Sequence, residues 1–194
     1  GLGICLLVTM ALLEAAAFDR GGELRLRCRI PTPRGYYAAT VDAIAHLVEP
    51  IESELCQRCT LGFGIPGNIS AASGLTKNAY SSPFNHHPHD RNMAARFDLP
   101  IRLMNDTNCF ALPEARGGAA AGAKIVFDAI LSTDCRSGIV VGMSHVTRLY
   151  QIIPAQWSYR LFSDRVITKL RLPWFGDSSA VCGAAWLWPE GVAL

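Results

Sequence analysis

An apolar run, Ile4–Phe18, and an alternating apolar and charged one, Glu23–Ile30, lead into a segment of helical spacing at Tyr36–Leu55 and then a short apolar run at Thr60–Phe63. This succession constrains the fold most. The first two runs read as strands joined at Asp19-Arg20-Gly21-Gly22, where glycines supply the positive φ of a hairpin turn. Pro31 and Pro33 end the second strand. In Tyr36–Leu55, Val41, Ile44, Leu47, Val48, Ile51 and Leu55 fall on one helical face, and Pro50 inside it costs about 3 kcal/mol and predicts a kink. The alternation continues with a short helix at Asp90–Phe97, a strand at Ile101–Leu103, strands at Ile125–Leu131 and Ile139–Val141, a helix at Val146–Phe162 containing Pro154, a strand at Val166–Leu172 and a final helix at Val181–Trp188. Strands alternating with helices imply an α/β fold with a mixed sheet.

The 194 residues suit one domain or slightly more, and half of them are hydrophobic, enough for a sizeable core. A net charge of +2 with scattered Lys and Arg points to neither a nucleic-acid nor a membrane partner. The apolar run Ile4–Leu13 is shorter than the roughly 20 residues a bilayer span needs, and no basic residues precede it, so it reads as a buried strand rather than a signal segment. Seven cysteines form an odd set, expected as small buried groups in a reducing, cytoplasmic setting. Cys56 and Cys59 form a CxxC without a second copy, at the end of a helix rather than its start, which argues against a redox or zinc role. The run His86-His87-Pro88-His89-Asp90 offers metal-ligand chemistry, but neighbours in a proline-containing turn rarely converge on one ion. No metal site is expected there.

The segment Leu103–Ala115 carries the chemistry. Asn105 and Asp106 follow a short apolar strand and open a stretch with helix-like spacing at Cys109, Phe110 and Leu112. A carboxylate and an amide at a strand-to-helix junction sit where rigid supports present polar groups, although Asp in such a place is more often a helix cap. Other motifs accompany it in order. They are Gly64-Ile65-Pro66-Gly67, then Ala72-Ser73-Gly74-Leu75 with Lys77-Asn78-Ala79, then Asn105-Asp106-Thr107-Asn108. Further on come Gly142-Met143-Ser144-His145-Val146 with Arg148-Leu149-Tyr150, and Gly176-Asp177-Ser178-Ser179 with Gly183-Ala184-Ala185-Trp186-Leu187-Trp188-Pro189.

In order and spacing these motifs resemble the ROK family of bacterial sugar kinases, and most closely its manno(fructo)kinase branch, which reads GIPGSIS, KNANSTWLNG, LANDANC, GGGMSNVDRLY and GDSSGVRGAAWLWP. The resemblance covers nearly the whole chain. It implies a ribonuclease-H-like domain of the actin/hexokinase type over residues 1–141, with residues 142–194 as the remnant of a second domain packing on the first. It also implies an ATP-dependent, fructokinase-like transfer to a hexose hydroxyl, with Mg²⁺. Asp106 would be the base for the attacking hydroxyl and Asn105 would bind a neighbouring one. Gly64 and Gly67 would let the backbone approach the sugar, Asn78 and Ser81 would lie in the loop closing over it, and Thr133, Gly138 and Gly142 would serve the nucleotide.

Departures from the family pattern fall on the phosphate side. The DxGGTK loop should lie on Leu7–Leu12, where this chain reads Leu-Val-Thr-Met-Ala-Leu. The GTGCGGG segment is replaced by Ser132-Thr133-Asp134-Cys135-Arg136-Ser137-Gly138, which puts a negative charge at Asp134 where phosphate should sit. Between Val141 and Gly142 the chain passes from the family's first half to its last segment. The EWGH sugar loop, the zinc-binding cysteines and most of the second domain are not found, and Gln156-Trp157-Ser158-Tyr159 reads as ordinary helix. The expectation is a sugar kinase impaired at its phosphate site, without structural zinc. The alternative is an inactive ROK-like remnant that keeps a sugar cleft. Apolar residues of Val146–Leu194, left without a second domain, would favour self-association.

Overall fold

Along Gly3–Val8 (β1), Ile4, Leu6 and Val8 point into one core while Cys5 and Leu7 point into another. A strand whose two faces are both buried needs a cover on each side, and the rest of the chain supplies them. The computed structural model describes residues 2–9, 11–19, 22–79, 83–126, 146–160, 169–176 and 179–188.

β1 pairs antiparallel with Leu12–Phe18 (β2), which pairs antiparallel with Leu24–Pro31 (β3). The helix Tyr37–Leu55 (α1) then crosses to Thr60–Ile65 (β4), which lies parallel to β1 on its other side. A two-stranded ribbon, Asn68–Ile69 (β5) with Thr76–Lys77 (β6), and the helix His89–Phe97 (α2) lead to Ile101–Asn105 (β7), parallel to β4. The sheet order is β3-β2-β1-β4-β7. The helices Asp106–Arg116 (α3), Leu149–Arg160 (α4) and Ser179–Ala185 (α5) follow.

Ile44, Leu47, Val48 and Ile51 of α1 bury against Ile4, Leu6, Leu13, Leu61 and Phe63, with Phe84, Met93 and Phe97 extending this core. On the opposite face Cys109 of α3 and Val181 and Ala184 of α5 cover Cys5 and Ala16. α5 lies so close that a Cβ on Gly62 would strike the Ala184 carbonyl, and one on Gly183 the Cys109 carbonyl.

The structure corrects two sequence expectations and leaves others outside the described residues. Ile4–Phe18 is two strands rather than one: the chain reverses at Thr9, whose Oγ1 donates to the Leu12 carbonyl at 2.8 Å and accepts from the Leu12 amide at 3.0 Å. In the expected strand Val166–Leu172, the described residues 169–172 are irregular. Residues 127–145, which hold most of the two strands expected around the second phosphate segment, lie outside the description. The helix expected at Val181–Trp188 is present as α5, starting two residues earlier and ending at Ala185. Pro50 lies inside α1 as anticipated. Among the described residues no helix is long and apolar enough to cross a membrane.

Candidate functional site

β7 delivers Asn105 to the C-terminal end of the sheet, in register with Ile65 of β4, and α3 starts at the next residue. Asn105 caps that helix, its Oδ1 accepting from the Thr107 amide at 3.1 Å. Its Nδ2 donates to the Gly67 carbonyl at 2.9 Å and to Asp106 Oδ1 at 2.9 Å. One amide thus ties the β4–β5 loop to the carboxylate. Asp106 Oδ1 also accepts from the Thr107 amide at 2.9 Å. Burial raises the Asp106 carboxyl above its ordinary value, and the bonds from Thr107 and Asn105 restrain the rise. A half-buried carboxylate made more basic, yet held in one orientation, is suited to taking a proton from a hydroxyl.

The sequence-derived sugar residues divide by position. Gly67 has φ +78°, and its bare α-carbon lies under the Lys77 carbonyl and the Ala79 amide. The loop carrying Asn78 therefore crosses directly over Gly67, and Asn78 itself is exposed with φ +58°. Gly64 is buried within β4, where a Cβ would meet Cys109 Sγ and Leu7 Cδ1 at 3.3 Å each. Protein fills the side-chain space at both glycines, so either would meet a ligand only through its backbone. Ser81, Thr133, Gly138 and Gly142 lie outside the described residues.

Two residues that sequence reasoning passed over organise this region. Asn85 brackets Ala79, accepting from its amide at 2.9 Å and donating to its carbonyl at 2.7 Å, which pins the loop beside Asn78. Glu114, buried on α3, accepts from the amides of Ala119, Trp174 and Phe175 and from Ser179 Oγ, all at 2.9–3.0 Å. Burial alone would push this carboxyl up, but the four donors hold it below its ordinary value. A lone Asn in a turn and a lone Glu on a helix carry no local pattern. Only their distant partners give them a role.

The histidine run disperses. His87 stacks on Tyr37 with ring centroids 3.9 Å apart, while His86 is exposed. His89 is fully buried against Phe84 and Phe63, its Nδ1 3.2 Å from the Tyr37 hydroxyl. Burial, and to a lesser degree His87, lowers its pKa to about 4, so it is neutral. Among the described residues no three His, Cys, Asp or Glu are placed to hold a metal ion. Cys59 is buried and its thiol is pushed up to about 11 by burial, then by Glu52, the opposite of an activated thiolate.

The β1–β2 turn occupies the place where a phosphate loop is expected. Leu7 packs with the apolar cluster under α3 and α5, and Thr9 spends its side chain closing the turn. Neither a carboxylate to organise a metal-bound water nor a glycine-lined cradle is present among the described residues of this turn. The described residues of this turn do not fit the Mg²⁺-nucleotide end of the expected chemistry.

Comparison with known proteins agrees with the fold. N-acetyl-D-glucosamine kinase of Shigella boydii is 34% identical over 135 residues, 70% of this chain and 45% of that enzyme. The corresponding enzyme of Escherichia coli K12 is 33% identical over the same length. The chain thus spans a little under half the length of the curated relatives it matches. Among solved structures, a ROK family glucokinase from Streptomyces griseus in complex with glucose and AMPPNP superposes with a TM-score of 0.62 at 26% identity, over 73% of this chain and 45% of that one. A glucomannokinase from Arthrobacter gives 0.66 over 96% and 97% of the two chains at 19% identity, a likeness of fold alone. The mixed sheet is the ribonuclease-H-like sheet of these sugar kinases. With the ROK family model matching residues 5–144, a span that includes both the Gly64–Gly67 loop and the Asn105-Asp106 junction, the chain belongs to the ROK family.

Proposed function

We propose that the chain carries the sugar site of an ATP-dependent hexose kinase, with Asp106 as the base that takes the proton of the attacking hydroxyl. The observation behind this reading is the Gly67–Asn105–Asp106 bond series, which sets a basic, oriented carboxylate beside a loop crossed by Asn78. Phosphoryl transfer asks mainly for positioning and electrostatic stabilisation, and the described residues supply the acceptor half of that requirement. Asn105 and Asn78 would hold neighbouring hydroxyls. The relatives named above are a glucokinase and N-acetyl-D-glucosamine kinases, while the motif resemblance favours fructose or mannose. All four sugars belong in the test.

A second reading is favoured by the β1–β2 turn: a chain that binds hexose but transfers phosphate slowly or not at all. Leu7 in an apolar cluster and a turn closed by its own Thr9 cannot replace backbone amides converging on phosphate. Residues 1–141 would form the kinase-like domain. Of residues 142–194, α5 would complete that domain, and the remainder would represent the second one.

Calorimetric titration with glucose, N-acetylglucosamine, mannose, fructose and ATP-Mg²⁺ in separate runs separates the two readings. An ADP-release assay complements it. Sugar binding with turnover abolished by Asp106→Asn supports the kinase. Sugar binding without ATP binding supports the second reading. Absence of sugar binding overturns both.

A further inference from the structure

At the corner where β7, α3 and the residues after α5 meet lies a cleft of about 360 Å³, lined by Arg102, Leu103, Met104, Leu112, Arg116, Trp186 and Leu187. Met104, Leu112, Trp186 and Leu187 bring apolar side chains to it, no carboxylate lines it among the described residues, and its two charges are both guanidinium groups. Each guanidinium is held by a tryptophan. Arg102 lies 5.0 Å from the ring centre of Trp188, and Arg116 lies 5.6 Å from that of Trp186. Trp188 is itself fixed, its indole N–H donating to the Leu61 carbonyl at 2.9 Å. Trp186 meets Phe175 edge-on at 6.3 Å. Among the described residues neither arginine has a salt bridge or hydrogen bond.

A guanidinium set over an indole ring can still present its N–H groups in a fork that matches carboxylate or phosphate oxygens. The ring contact also restricts the side chain in advance, which reduces the entropy lost when an anion binds. The apolar side chains between the two arginines ask for something other than a bare ion. We propose that this cleft binds a small organic anion, a phosphate monoester or carboxylate with a planar or apolar body, its charge between Arg102 and Arg116 and its body on Met104, Leu112 and Trp186. This assignment does not depend on the kinase reading, since none of these residues belongs to the Asn105-Asp106 site.

The test uses the full chain labelled with ¹⁵N at tryptophan, the Trp186 indole signal being assigned through Trp186→Phe. Phenyl phosphate is titrated in, with inorganic phosphate and phenol as partial probes. Saturable movement of the Trp186 signal is expected, with phenyl phosphate binding about tenfold or more tighter than inorganic phosphate. Arg102→Gln/Arg116→Gln should weaken it about tenfold or more, with an unchanged melting temperature. Arg116→Lys, which keeps the charge and loses the fork, should fall between, and it serves as the second variant if the double substitution disturbs folding. No saturable shift at millimolar phenyl phosphate overturns the proposal. So does equal binding by phenol, or binding indifferent to all the arginine substitutions.

Discussion

Gly183 of α5 faces the main-chain carbonyl of Cys109 on α3 with no room for a single methyl group between them. On the other side of the same helix, Gly62 of β4 faces the carbonyl of Ala184 in the same way. Two absent side chains thus set the distance at which α5 closes the second face of the sheet.

Gly183→Ala and Gly62→Ala should therefore each destabilise the chain by about 1–3 kcal/mol, because the obstructing atoms are backbone and cannot rotate away. Urea unfolding measures this. Gly117→Ala, where nothing lies within reach of a new Cβ, is the matched control and should change stability little.

Glu114→Ala should cost about 3 kcal/mol or more, since it leaves the amides of Ala119, Trp174 and Phe175 and the Ser179 hydroxyl without their common acceptor. The contribution has a pH signature. The folded carboxyl lies below its ordinary value, so its stabilisation is complete above about pH 4.5 and is lost as pH falls toward and through the folded value. Melting curves of the parent and the alanine variant should converge in strong acid.

His89 acts in a neighbouring window. Its folded value of about 4 lies below the ordinary 6.5, so the unfolded chain takes up a proton first. Stability should fall as pH drops from about 6.5 to 4, by roughly 3 kcal/mol in total. In His89→Phe, with a ring that fits against Phe63 and Phe84, that slope should flatten while the Glu114 slope below pH 4.5 persists.

Asp106→Asn should leave sugar binding within a few-fold of the parent and lower any ADP release by about 10²–10⁴-fold, the usual scale for loss of a general base. Calorimetry and a coupled assay on the same preparation read the two effects separately. Equal loss of binding and turnover would make Asp106 a binding residue instead.

The elements that could be read from residue order are those whose pattern is local. The face of α1 repeats Ile44, Leu47, Val48 and Ile51, and all four are buried. β7 and the α3 cap follow from one short apolar run ending in Asn-Asp. The break at Thr9 was hidden for a physical reason. β1 and β2 are covered on both faces, so their apolar residues run on without the polar alternation that marks a strand's end. Three of the four partners of Glu114 lie 60 or more residues away, beyond any window of periodicity. The tryptophan-rich C-terminal segment was expected to be bare apolar surface. Trp174 does stand 72% exposed, but Trp186, Leu187 and Trp188 are half-covered by the corner they form with β4, β7 and α3. The loop carrying Asn78 showed itself by motif, whereas its fastening through Asn85 depended on geometry no motif records.

The tie between Trp188 and Leu61 joins points 127 residues apart, and α5 covers strands laid down near the start of the chain. During synthesis β1, β4 and α3 leave the ribosome with that face uncovered, and Cys5, Ala16 and Cys109 stay wet until α5 arrives. Closing so long a loop precedes the contacts that reward it, which slows folding and prolongs exposure of the half-built sheet. The strand-to-helix junction that presents Asp106 thus acquires its support last, from a helix translated long after it.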